Sequence, residues 1–95
     1  MADQTVKLNE GQNRYEIFVD DKVAGYAAFR ETGEGVRDFN HTVIQPEFRG
    51  QGLSTPLIQH ALDDTRTAGK KIIPTCSAVA HFLSKNEGYR DLVAS

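Results

Sequence analysis

The run Arg49-Gly50-Gln51-Gly52-Leu53-Ser54 is where this sequence concentrates its capacity for chemistry. It lies between a β-branched stretch, His41-Thr42-Val43-Ile44, and an apolar-periodic stretch that reads as a helix. A strand that passes through a glycine turn into a helix leaves backbone N–H groups pointing outward at the positive end of the helix dipole. That geometry binds phosphate. The glycines let the backbone approach a pyrophosphate with no Cβ in the way, and Arg49 adds a charged donor. Two other phosphate patterns do not fit. No Lys follows the last glycine, as G-x-x-x-x-G-K-[ST] requires. A G-x-G-x-x-G reading from Gly50 and Gly52 ends on Thr55 and lacks the preceding βαβ context. Cys76 and His41 complete the reactive set. Cys76 stands where a short strand gives way to a helix, and a thiol at a helix N-terminus is drawn toward the thiolate by the dipole. Free cysteine also packs as a small apolar residue, and the residues alone favour that use. His41 opens the strand before the glycine turn, either as a general base or as a strand-end imidazole bonded to backbone.

The loop resembles R-x-x-G-x-[GA], the phosphate loop of the GNAT superfamily of acetyl-CoA-dependent acetyltransferases. Arg49 and Gly52 fit, and Ser54 stands at the Gly/Ala position. Downstream, Ser77 to Tyr89 resembles the family's N-x-x-A-x-x-x-Y-x-x-x-G-[FY] segment, keeping Ala80, Gly88 and Tyr89. Ser77 replaces the Asn that in the family contacts the pantetheine arm, and Ser84 replaces the Tyr that protonates the departing CoA thiolate. The chain is also similar, from about its first strand to its end, to the minimal GNAT-like acetyltransferases of roughly a hundred residues or fewer. Their pattern is H-T-x-V, P-x-x-R-G-x-G, a helix, I-x-P-x-C, a second helix and E-x-Y/W-x-x-L. The corresponding segments here are His41–Ile44, Pro46–Gly52, Ile72-Ile73-Pro74-Thr75-Cys76 and Glu87–Leu92.

That resemblance implies an α/β (α+β) fold, a truncated GNAT core in which an antiparallel meander is followed by α-β-α. It implies a single domain over residues 1–95, with 1–4 as a flexible tail. It further implies transfer of acetyl from acetyl-CoA to a primary amine. Arg49, Gly50, Gln51, Gly52, Leu53, Ser54 and Thr55 would hold the pyrophosphate, and the backbone of Val43 and Ile44 the pantetheine arm. Cys76, at the thioester end, would be an acetyl-accepting nucleophile or the proton relay that replaces Tyr, with His41 as base. Lys85 would approach the CoA phosphates, and Ser84 is either a phosphate contact or a solvated helix residue. The alternative is a module that retains CoA but no longer transfers, serving as a sensor or protein partner.

Composition narrows the classes. Ninety-five residues with a net charge of −2 suit one soluble core and lack the basic face that nonspecific nucleic-acid binding needs. Residues 1–48 hold five basic and nine acidic side chains, whereas residues 49–95 hold six and four. The positive half is the one with the glycine turn, as an anionic ligand requires. The negative half favours an amine-bearing acceptor, and the resemblance to the minimal subfamily, whose short N-terminal half leaves an open site, implies a protein or peptide lysine or a polyamine. One cysteine excludes an internal disulfide and a cysteine metal cluster. His41, His60 and His81 lack ligand spacing, so no metal is expected. No apolar stretch approaches membrane-spanning length and no leader pattern is present. A cytoplasmic monomer without a membrane partner is the expectation.

The elements that must position these residues follow from periodicity. Thr5–Asn9 and Arg14–Val19 flank a hairpin turn at Glu10–Asn13, and Tyr15, Ile17 and Val19 alternate onto one face. Asp20–Lys22 turns the chain into Val23–Arg30, and Thr32–Gly35 into Val36–Ile44. The period then changes. Leu53, Leu57, Ala61, Thr65 and Ala68, with Ile58 and Leu62, form a helical stripe. Pro56 belongs in a first turn, so the helix starts near Leu53 or Ser54 and Gly69 ends it. Lys71–Thr75 reads as a short strand and Ser77–Asn86 as a short helix. His60 falls mid-helix on the surface, and His81 takes an ordinarily apolar position, partly exposed.

Overall fold

The computed structural model describes residues 4–33 and 35–94. The elements are β1 (Gln4–Asn9), β2 (Arg14–Val19), β3 (Lys22–Glu31), β4 (Val36–Ile44), a 3-10 turn at Pro46–Phe48, α1 (Ser54–Thr67), β5 (Lys71–Ile73), α2 (Ser77–Lys85) and a final 3-10 segment, Glu87–Leu92. This is the α/β order read from the sequence. Residues 1–3 of the expected tail lie outside the described residues, and Gln4 already pairs with Val19.

The five strands form one sheet in the order β1-β2-β3-β4-β5. Hairpins suffice for the first four, which are antiparallel. Between β2 and β3 the link is Asp20-Asp21, both at positive φ, the conformation of a two-residue type I′ turn whose twist suits paired strands. β4 and β5 run parallel, so the chain needs a crossover between them, and α1 supplies it. Tyr15 and Ile17 of β2, Phe29 of β3 and Phe39 of β4 share a core with Leu57, Ile58, Ala61 and Leu62 of α1 and with Val79 and Phe82 of α2. Both helices thus cover one face of the sheet. The opposite face carries Phe18, Tyr26 and Ala28, which alternate out of that core. No helix among the described residues is long and apolar enough to cross a membrane.

A polar knot runs through the apolar layer. Arg37, almost fully buried, donates to the Tyr15 hydroxyl at 2.7 Å, to Thr65 Oγ1 at 3.1 Å and to Glu31 at 3.1 Å. Tyr15 in turn donates to Asp64. Every member has a partner, and no described buried side-chain N or O atom is left without one, so the desolvation of Arg37 is compensated. The knot joins β2, β4 and α1 across the core.

The last segment, unassigned in the sequence reading, is fastened at several points. Leu92 is buried, Ala94 N–H donates to Ile72 O at 2.9 Å, and Arg66 of α1 donates to Gly88 O at 2.7 Å and to Asp91 at 2.9 Å. Tyr89 packs on Phe82, with ring centroids 5.3 Å apart, and donates to Asp63 at 2.8 Å. The Glu87–Leu92 motif therefore closes the fold behind β5.

Burial, and then the bond to Asp64, push the Tyr15 phenol up from 10.0 to about 12. A phenol held protonated in the fold stabilises it fully below pH 10, and that contribution is lost as pH rises through about 12. Its size is about 3 kcal/mol. Denaturant unfolding followed between pH 8 and 12 should show this loss in the native protein and a much flatter profile in Tyr15→Phe. Equal slopes in the two would place the alkaline transition elsewhere.

Candidate functional site

The site begins where β5 stops. β4 has nine residues and β5 three, and they pair only from Val36–Asp38 to Lys71–Ile73. The sequence reading carried β5 on to Thr75, but Pro74 has no N–H to donate and ends the ladder. One further bond, Cys76 N–H to Phe39 O at 2.8 Å, closes the junction. Thr75 adds a side-chain bond to Asp38 there. Beyond it, residues 41–44 of β4 pair on one side only, with β3. Their other edge offers backbone donors and acceptors to whatever enters.

A bulge at the same point re-aims the side chains. Phe29 lies opposite Phe39 and Ala28 opposite His41, so Asn40 is the extra residue. Phe39 faces the helices. After the bulge it is Thr42 and Ile44 that face them, while His41 and Val43 turn to the helix-free face beside Tyr26. The His41 and Tyr26 ring centroids are 6.1 Å apart. Gly25 permits the close β3–β4 approach here, because a Cβ at that position would sit 2.5 Å from Val43 O.

Cys76 is the N-cap residue of α2, extended in backbone, and its side chain makes no capping bond. The half-buried thiol instead donates to Thr42 Oγ1 at 3.3 Å. Cys76 therefore faces the unpaired β4 edge from across the gap. His41, two residues from the junction, lies on the far side of the sheet from that contact. Of the two residues expected to carry chemistry, each thus occupies one face of β4.

The glycine turn stands at the other end of this edge. Gly50 and Gly52 have φ of +85° and +69°, values that L side chains rarely adopt. A Cβ on either would meet nothing within 4 Å. These glycines serve the backbone path and leave open space beside it. Leu53 is buried and anchors the turn. No side chain caps α1, so the N–H groups of its first turn lack intrahelical partners. Arg49 is exposed and reaches back, its Nε donating to Ile44 O at 3.3 Å. Gln51 is exposed in the same turn.

From this turn a cleft of about 250 Å³ runs between α1 and α2, lined by Ser54, Thr55 and Ile58 on one side and by His81, Lys85 and Asn86 on the other. Ser84 is not in its lining, and its hydroxyl donates to His81 O at 2.6 Å. Two residues here were missed from sequence. Thr42 was read as part of a strand and of the H-T-x-V pattern, with no role of its own, and nothing in the sequence pairs it with Cys76, 34 positions away. His81 had a usable signal, because Ala78, His81 and Lys85 recur at helical spacing on one face of α2.

An unpaired strand edge, with a thiol at one end and an uncapped helix N-terminus at the other, suits an extended ligand bearing amides along its length and phosphate at its end.

A family model for GCN5-related N-acetyl-transferases matches residues 14–92. The solution structure of a GCN5-like protein from Staphylococcus aureus shares the fold over 100% of this chain and 92% of its own, with a TM-score of 0.73 and 24% identity. A crystal structure of a GNAT-family protein from Desulfovibrio desulfuricans aligns with 76% of this chain and 52% of its own, with a TM-score of 0.58 and 23% identity.

The thiol–hydroxyl contact is testable by itself. A Thr42 hydroxyl able to donate to the thiolate is worth about 1 kcal/mol, so Thr42→Val should slow alkylation of Cys76 by iodoacetamide about fivefold, and Thr42→Ser should restore the rate. Unchanged alkylation in a folded Thr42→Val variant would show that the contact does not govern the thiol.

Proposed function

Because this chain belongs to the GCN5-related N-acetyltransferase family and is an acetyltransferase, we propose that it moves acetyl from acetyl-CoA to a primary amine, with Cys76 as the acetyl-accepting nucleophile. The observation that carries this reading is the unpaired β4 edge stretched between the Cys76 thiol and the glycine turn. The residues fit the donor. Ile44, whose backbone points away from β3, offers the edge that pantetheine amides take, whereas Val43 turns its N–H and C=O to β3 in phase with Gln45. Arg49 to Thr55 offer N–H groups and open space to a pyrophosphate. Acetyl-CoA supplies an activated thioester.

Cys76 is favoured as nucleophile because the position of the family's usual acid is filled by Ser84, a short hydroxyl already bonded to His81 O. In this scheme the Cys76 sulfur bonds to the acetyl carbon as the carbon–sulfur bond to CoA breaks, and the thiol proton passes to the departing thiolate. The acceptor amine then attacks the Cys76 thioester, which restores the thiol. His41 stands on the helix-free face, where it is suited to take the proton an ammonium must lose before attack. That open face accommodates an exposed lysine of a protein or peptide, or a polyamine. The same Ser84 bond also supports a second reading, a CoA-binding module without transfer.

One measurement tests the donor site that both readings share, and a second tests the nucleophile. Arg49→Ala should weaken CoA binding by about 1–2 kcal/mol, the worth of a charge-assisted hydrogen bond, and Gly52→Val should weaken it more. Calorimetry showing unchanged affinity in a folded Gly52→Val variant would remove the phosphate role of the turn. Exposure to acetyl-CoA should leave one acetyl group on the protein by mass spectrometry, and Cys76→Ala should abolish the adduct. An unlabelled wild type together with an active Cys76→Ala variant would assign direct transfer to a bound amine instead.

A further inference from the structure

The gap between β4 and β5 leads through the sheet from one face to the other. Thr75 turns to the helix-free face, where its hydroxyl donates to Asp38 Oδ1. The next residue, Cys76, turns to the helix face and to Thr42. Asp38 points away from the helices because its neighbours Arg37 and Phe39 are both buried beneath them. The same alternation puts Ile73, opposite Asp38 in the parallel register, on the open face. Ile73 is 38% exposed while Ile72 is fully buried. Arg30 lies exposed on β3 directly across from Asp38, yet the ion pairs among the described residues all lie elsewhere. Asp38 therefore has one carboxylate oxygen held by Thr75 and a second with no partner among the described residues.

We infer that Asp38 and Ile73 form the acceptor-binding subsite, and that the acceptor is a lysine side chain set among acidic residues of a protein or peptide. The inference rests on the proposed acetyl transfer to a primary amine and decides between the acceptors that reading leaves open. An acetyl group on Cys76 lies on the helix face, so an amine arriving from the helix-free face must pass the rim formed by Thr75 and Asp38. The free oxygen of Asp38 takes an ammonium in a charge-assisted bond, and exposed Ile73 gives the methylene stem of a lysine an apolar surface to cover. Cations flank this pair. Arg30 stands beside Asp38 on β3, and Lys71, whose ammonium donates to Asp91 O at 2.8 Å, precedes Ile73 on β5. The further ammonium groups of a polyamine meet those like charges at a cost, whereas acidic neighbours of a lysine are attracted to them. Asp38 holds and orients the acceptor, and His41, farther along β4 on the same face, keeps its role toward the proton.

The test is steady-state transfer from acetyl-CoA by the full chain to three acceptors: a blocked peptide with one lysine between aspartates, the same peptide with arginines in their place, and spermidine. The acid-flanked lysine should have the highest kcat/KM, by about fivefold over each of the others. Asp38→Asn keeps an oxygen for the Thr75 hydroxyl and loses the charge, so it should raise the acceptor KM about tenfold, with CoA affinity by calorimetry as the measure of an intact fold. Ile73→Ser should raise it about threefold. Arg30→Glu should invert the order, favouring spermidine over the acid-flanked peptide by about fivefold, a gain that no loss of fold can produce. An unchanged acceptor KM in Asp38→Asn, or an unchanged order of acceptors in Arg30→Glu, would overturn the subsite while leaving acetyl transfer to amines intact. Failure of the wild type to acetylate any of the three would overturn the amine-transfer reading itself, and the subsite with it.

Discussion

Everything distinctive about this molecule depends on the early separation of β4 from β5. A parallel pair would normally be zipped along its whole length, satisfying backbone groups on both edges. Here the ladder stops after three residue pairs because Pro74 removes a donor and turns the chain aside. Cys76 N–H makes one last bond to Phe39 O. The edge of β4 beyond that point has no strand partner. The same turn sets Cys76 at the head of α2, so ladder termination and thiol placement are one event in the sequence.

Such an opening needs rigid walls. The Arg37 knot fixes β4 to β2 and α1 immediately before the bulge, and Phe39 packs within the aromatic cluster with Tyr15 and Phe29. The C-terminal segment holds β5 from behind through Ile72 and α1 through Arg66. On the far side of β4, Gly25 lets β3 lie close enough to support the unpaired residues. The strand that would carry the donor is thus supported on one side only, by its pairing with β3.

Much of this was legible in the sequence, and the reason is local. Period-two alternation in Arg14–Val19, the helical stripe from Leu53 to Thr65, and Pro56 in a first turn each determine an element through its own neighbours. Gly69, at positive φ, likewise ends the helix where its place after the apolar stripe puts it. What escaped the reading was long-range. Arg37 looks like an alternating strand residue, and its burial against Tyr15 and Thr65 needs partners 22 and 28 positions away. The bulge at Asn40 depends on register with β3. It sends Phe39 and His41, two residues apart, to opposite faces, which no motif reveals. The final 3-10 segment has no periodicity of its own and is held by side-chain bonds to α1 and β5.

The central claim is that the donor lies along the unpaired β4 edge with its phosphates at the head of α1. Amide chemical-shift mapping and hydrogen exchange on the full chain, with and without CoA, test it directly. CoA should perturb amides of residues 40–44 and 50–55 together, and slow exchange among them, while β1 and the Asp20-Asp21 turn stay unchanged. Perturbations confined to the helix-free face, or to the glycine turn with residues 40–44 silent, would contradict it.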